Sequence, residues 1–152
     1  MAISSGLKSS ADFTPAASSH GARDVVGVAM EFKNIADGPG QRIFINTAEL
    51  LLKGATAVTT LWELHLYDVT PPSAQADDAV FNLHSGDYAS YLGFVPIAQT
   101  VDYVDTQYGH TLNVGKQIKT RGTSVWGVLV NVSAITTQAV AHTVTLHSTA
   151  AI

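Results

Sequence analysis

The chain contains no cysteine, so no disulfide framework can support its fold and no thiolate is available for covalent or metal chemistry. Charge is also scarce. Asp, Glu, Lys and Arg make up 13% of the 152 residues, about half the usual share for a globular domain. So few charges suit a surface that is partly covered by a neighbour, which points to an oligomer or a larger assembly. Eight basic residues stand against twelve acidic ones, a net charge of −4. The basic residues are scattered, with Lys116, Lys119 and Arg121 the one local group. Phosphate recognition needs clustered Lys and Arg, so no nucleic-acid partner is expected. No apolar run approaches the length of a membrane-spanning helix, so no membrane partner is expected either. The opening residues MAISSGLKSSADF lack the continuous apolar segment of a signal peptide, which predicts synthesis in the cytoplasm.

What the chain has in quantity is strand-like alternation. At 152 residues it is long enough for one domain with a substantial core. In the stretch from Asn113 to His147, Trp126, Val128, Val130 and Val132 share one face of a period-two pattern. Val125, Gly127, Leu129 and Asn131 take the other, which predicts a strand covered on both sides. Val144 and Leu146 repeat the alternation near the end. Between Ala57 and Asp68, Val58, Thr60, Trp62, Leu64 and Leu66 point one way, and Thr59, Leu61, Glu63, His65 and Tyr67 the other. Asp24 to Phe32 places Val26, Val28, Met30 and Phe32 together. Arg42 to Asn46 reads as a short strand, and Leu50 to Gly54 fits a strand or a helical turn. The Asp37-Gly38-Pro39-Gly40 cluster and the Pro71-Pro72 pair mark a turn and a loop. Pro96 interrupts the segment from Phe94 to Val104, which suits an edge strand or a bulge. The expected fold is all-β, a single-domain antiparallel β-sandwich of jelly-roll type.

The body is expected over residues 23–152, preceded by an extended or disordered N-terminal arm over residues 1–22. That arm is rich in Ser, Ala and Gly, and its large apolar anchors are Ile3, Leu7 and Phe13. Alone it buries too little to offset its own ordering entropy. Laid across a neighbouring subunit it would order, so Ile3, Leu7 and Phe13 are the candidate partner-interface residues. Deleting residues 1–22 is expected to leave the body folded and to weaken attachment.

The residues offer little chemistry. Glu63 and His65 lie two apart on one strand face and could converge on a metal, but the further ligands of a cupin-type site and any HExxH motif are absent. His20, His84, His110, His142 and His147 stand alone in sequence. Asp77-Asp78 and the Asp102/Asp105 pair lack calcium-loop spacing. Gly122-Thr123-Ser124-Val125-Trp126-Gly127 has the wrong spacing for a serine elbow, and a strand follows it. No catalytic residue, metal or cofactor is expected. A carbohydrate-binding reading would use Tyr88, Tyr91, Tyr103 or Tyr108 as a sugar platform.

Several of these segments together resemble small structural proteins of tailed bacteriophages. The likeness runs over about residues 57–147. It is carried by a strand ending at a Thr-Pro-Pro-Ser loop (Thr70 to Ser73), a Ser-Gly-Asp turn (Ser85 to Asp87), a Tyr-Leu-Gly segment (Tyr91 to Gly93) and a Gly-Thr-Ser (Gly122 to Ser124) before an aromatic-led strand. The resemblance implies a non-enzymatic virion protein, a capsid decoration or cement protein that sits as a homotrimer on the capsid surface and binds the major capsid protein. Tail or head-fibre components are the alternative it leaves open. It implies no catalytic residues.

Overall fold

Gly127 sits near the middle of the most apolar strand, and side chains from the two flanking strands of the same sheet fill the space above it. A Cβ at this position would lie 2.8 Å from both Leu64 Cδ1 and Phe32 Cε2. The strands flanking it therefore close over the bare backbone and fill the core. The computed structural model describes residues 6–54, 58–73 and 75–151. Its strands are β1 (Leu7–Phe13), β2 (Ser19–His20), β3 (Met30–Phe32), β4 (Arg42–Lys53), β5 (Trp62–Tyr67), β6 (Tyr91–Ile97), β7 (Val101–Asp102), β8 (Thr106–Thr111), β9 (Lys116–Lys119), β10 (Val125–Asn131), β11 (Ile135–Thr136) and β12 (His142–Ala150). A 3₁₀ turn spans Ser85–Asp87.

One sheet runs β1-β12-β4-β8-β7, with β9 also on β4, and the other runs β3-β10-β5-β6. All their pairings are antiparallel. The first main strand pairs with the last (β1 with β12), β3 with β10, β4 with β8, and β5 with β6. The chain is thus one long hairpin folded back on itself. Two further ladders, β12 on β4 and β10 on β5, roll that hairpin into two facing sheets. This is the jelly roll expected from the alternation, and it follows from the strand order alone.

β10 is covered on both sides, as its alternation requires. Val125 and Leu129 enter the core between the sheets with Phe32, Trp62, Leu64, Leu66, Ile43, Ile45, Leu50, Val144 and Leu146. On its other face, Val128 and Val130 join Val25 and Tyr67 in a second cluster, roofed by Phe81, Leu83, Tyr91 and Trp126. Pro96 lies in β6, the edge strand of that sheet, where its missing N–H costs no ladder bond.

β4 corrects the reading of two short segments. It is one strand of 12 residues. Its ladder with β12 pairs Thr47 with His147 and then Ile45 with Ser148, so Asn46 is an extra residue. This bulge shifts the side-chain phase by one. Ile43 and Ile45 are buried before it and Ala48, Leu50 and Leu52 after it, so a single strand looks like two. The segment Asp24 to Phe32 is shortened for a related reason. Gly27 adopts φ +86° and packs beneath the Phe13 ring, which leaves Val28 exposed and confines the strand to Met30–Phe32.

The arm expected over residues 1–22 also needs correction. From Leu7 to Phe13 it is a sandwich strand in register with β12, and Ser19–His20 pairs with Ile135–Thr136. Phe13 is 3% exposed and belongs to the main core. Its ring centroid lies 5.4 Å from that of His142. Ser9 Oγ donates to the Lys33 carbonyl at 2.7 Å, tying β1 to the opposite sheet. The inward positions include Ser9 and Ala11, too small to give the alternation a visible amplitude. Ile3 lies outside the described residues, and Leu7 is half-buried opposite Ser148.

Phe13→Ala should cost about 3–5 kcal/mol by loss of buried area and creation of a cavity beside Gly27, measurable by urea unfolding. Removing residues 1–22 should abolish the cooperative unfolding transition rather than leave a folded body.

Candidate functional site

The segments that carry the sequence resemblance meet at one end of the sandwich. β5 ends there, at Tyr67, and the chain turns through Asp68 into the Thr70 to Ser73 loop. Asp87, in the Ser85–Asp87 turn, accepts a hydrogen bond from Ser73 N at 3.0 Å through Oδ1. The Asp87 carbonyl accepts from Ser90 Oγ at 3.0 Å, and the Ser90 carbonyl accepts from Asp68 N at 2.9 Å. Asp87 is wholly buried, so a single carboxylate joins the Pro-Pro loop to the Ser-Gly-Asp turn. Tyr67 lies beneath it with its hydroxyl also buried. Burial, then the Asp87 charge, pushes that hydroxyl well above the ordinary phenol range. Tyr67 OH and Asp87 Oδ2 have no hydrogen-bond partner among the described residues.

Two adjoining hollows open at this end. One, of about 460 Å³, is lined by Gly40, Asp68, Leu92, Lys119, Thr120 and Arg121. The other, of about 310 Å³, shares Asp68 and Arg121 and continues along Gly122, Thr123, Ser124 and Trp126. Arg121 Nε donates to Asp68 Oδ2 at 3.3 Å across their common wall. The basic group seen in the sequence is therefore assembled here. β4 adds Arg42 to it, directly opposite Lys119 in the ladder with β9. Like charges placed opposite each other weaken a sheet, and neither makes an ion pair among the described residues. Lys116 extends over the backbone of Gly93, where a Cβ would meet its Nζ at 2.5 Å.

Several other titratable groups are engaged within the fold. Glu63 and His65 do converge, with His65 Nε2 at 3.1 Å from Glu63 Oε2. Tyr91 OH then holds Nδ1 at 2.9 Å, and Arg23 reaches Glu63 at 3.2 Å. Phe81, Tyr91 and Phe94 surround the imidazole. His20 Nε2 lies 2.8 Å from Asp77 Oδ1, and the Asp77 carboxylate also accepts from Ala16 N and Gly27 N, each at 2.6 Å. One side chain thus ties together three stretches of chain. Glu49 accepts from Tyr108 OH and lies 3.0 Å from His147 Nε2. His142 Nδ1 accepts from Lys53 N at 2.9 Å, and its Nε2 contacts the Gln138 carbonyl. Among the described residues no group of three His, Asp or Glu side chains is arranged to hold a metal ion. The tyrosines do not form one platform. Tyr88 and Tyr91 belong to the β6 side, while Tyr103 and Tyr108 lie on the β7–β8 hairpin of the other sheet.

No protein-family model matches this chain, and no curated protein matches it. Solved structures that resemble it include tomato aspermy virus (12% identity, TM-score 0.38, covering 97% of this chain and 79% of that one). The capsid of Ralstonia phage GP4 gives 12% identity and a TM-score of 0.40, covering 99% and 86%. The adhesin domain of Lys-gingipain from Porphyromonas gingivalis gives 8% and 0.32, covering 80% and 63%. At these values the jelly-roll assignment rests on this chain's own strand order.

Two buried imidazoles set an acid sensitivity. Burial pushes His65 below its ordinary value of 6.5 against the pull of Glu63, and burial also pushes His142 down, aided by Lys53. A lowered folded value means the unfolded chain binds the proton more readily. The stability these groups contribute is full above 6.5 and is lost as pH falls through the lower folded values. Asp77 adds a second, more acidic window. Burial raises it, but the Ala16, His20 and Gly27 contacts hold it net below 3.8, so its contribution disappears only as pH falls further. The thermal midpoint should therefore drop between neutral and mildly acidic pH. His142→Gln, which retains an acceptor for Lys53 N, should make that drop shallower in a scanning fluorimetry series.

Proposed function

We propose that this chain is a non-enzymatic structural subunit of a virus particle, a decoration or cement protein that binds across neighbouring major capsid protein subunits on the capsid surface as a homotrimer. The observation that carries the reading is the convergence at one end of the sandwich. The four segments resembling phage structural proteins meet there beside two charged hollows, to whose walls Leu92 and Gly122 to Ser124 contribute, while many of the acids and imidazoles elsewhere are engaged in internal bonds. A site built for catalysis needs a group free to exchange protons or ligate an ion in a cleft. Here Glu63, His65, Asp77, His20, Glu49 and His147 each have an internal partner. A jelly roll with so few charges and a rigid, internally bonded interior suits permanent packing against other subunits.

The test is location and effect on the shell. Immunogold labelling with an antibody against the chain should decorate the heads of intact particles. Adding the purified protein to particles that lack it should raise the temperature at which the shell opens. If the protein remains in the soluble fraction and does not cosediment with particles, the reading is wrong.

A further inference from the structure

We propose that the two ends of the sandwich are complementary and that copies associate head to tail, the β7–β8 hairpin tip of one copy seating in the basic, hollowed end of the next. This deepens the self-association in the proposed function and rests on that part of it.

The tip is built from Val101 to Asp105. Val101, Tyr103 and Val104 are 55%, 62% and 77% exposed, an unusual concentration of apolar surface on so short a turn. Asp102 and Asp105 flank them. Asp102 Oδ1 accepts from Val104 N at 2.8 Å, and Tyr103 N donates to the Thr106 carbonyl at 2.7 Å, so the turn is held in shape. Val104 has φ 76°, a left-handed conformation that a β-branched side chain adopts only under strain. Gly or Asn would make the same turn without that strain. Valine there sacrifices local stability and presents an isopropyl group to the outside, which is the pattern of a contact residue. Lys53, opposite Thr106 beside the tip, offsets one of the two carboxylates, so Asp102 and Asp105 with Lys53 leave a net acidic group.

The receiving end lies at the far end of the same strand. β4 has 12 residues, so at about 3.3 Å per residue its ends are roughly 35 Å apart. Lys53 and Gly54 are at the tip end, where Gly54 N donates to the Asp105 carbonyl at 3.0 Å. Arg42 is at the other, in register with Lys119. Arg42, Lys119 and Arg121, with Lys116 behind them, concentrate four of the eight basic residues, against Asp68, Asp37 and Glu31, the last opposite Trp126 in the ladder and 3.9 Å from Lys33. Arg121 is paired with Asp68 yet its side chain is 62% exposed. An approaching carboxylate relieves the repulsion between Arg42 and Lys119. The hollows lined by Leu92 and Trp126 then give Tyr103 and Val104 apolar walls to pack on. A phosphate-bearing ligand would use the same cations, but the overall charge of −4 disfavours it and the acidic tip supplies the complement within the chain itself. Because tip and socket are different patches, the contact is heterologous. It closes into a ring or continues as a fibre.

The experiment is charge reversal in the full-length protein, read by analytical ultracentrifugation at low and high salt with circular dichroism as the folding control. Arg42→Glu with Lys119→Glu should weaken association on the order of tenfold or more at low salt, and Asp102→Lys with Asp105→Lys should do the same. Mixing the two variants should restore association, since each reversed patch then meets its complement. Val104→Gly should fold at least as stably as the parent and associate less. Unchanged association in the reversed variants, no rescue on mixing, or a symmetric dimer that grows no further each overturns the proposal. So does loss of binding to a polyphosphate probe in Arg42→Glu/Lys119→Glu with association intact. These outcomes are independent of whether the protein is found on particles, so the two readings fail separately.

Discussion

The ladder between β1 and β12 is where the rolled hairpin closes, and most of the fold depends on it. β12 pairs with β1 on one side and with β4, the central strand of the first sheet, on the other. β1 in turn delivers Phe13 to the core, and the Phe13 ring fills the space over Gly27 that no side chain could share. Ser9 on β1 and Ser148 on β12 both donate to carbonyls in the turn after β3, at 2.7 and 2.6 Å. The two sheets are therefore joined by hydrogen bonds as well as by apolar packing. In a low-dielectric interior such bonds are costly to leave unmade, which fixes how one layer sits on the other.

What was legible in the sequence was amplitude. β10 and β5 alternate large apolar with other residues; β10 lies where its pattern puts it, and β5 keeps the expected faces but begins at Trp62. Pro96 correctly marked an edge strand. β4 resembles two segments in sequence because the bulge at Asn46 reverses the phase of its alternation, so the period of two breaks where the strand only shifts. β1 has the composition of an arm because Ser9 and Ala11 occupy inward positions. Its strand character comes from backbone pairing, which leaves no trace in composition. At the candidate site the loops were visible as turn signals, but their convergence was not. The contact of Ser73 with Asp87 and the clasp of His20 on Asp77, 57 residues apart, are products of topology that no local spacing announces.

The distribution of polar groups divides the molecule in two. Along the sheets, His20, His65 and His147 each meet a carboxylate, and the Asp77 carboxylate gathers three separate segments. At the two ends of β4 that economy stops. Arg42 faces Lys119 across a ladder, and Val104 holds a strained turn with its side chain outward. A chain with so few charges keeps its least satisfied ones at its extremities.

The closure of the first strand on the last also dictates when the protein can exist during its own manufacture. A ribosome releases the N-terminal end first, at roughly 5–20 residues per second, and β1 then waits on the order of ten seconds for β12 to be made. During that interval neither β1 nor β4 has its β12 partner, and both expose open edges. Each sheet includes a member from the last third of the chain, β12 in one and β10 in the other, so neither is complete part-way. Until β12 is made the layers stay incomplete, so a product truncated before it exposes strand edges and is an aggregation hazard rather than a smaller working protein.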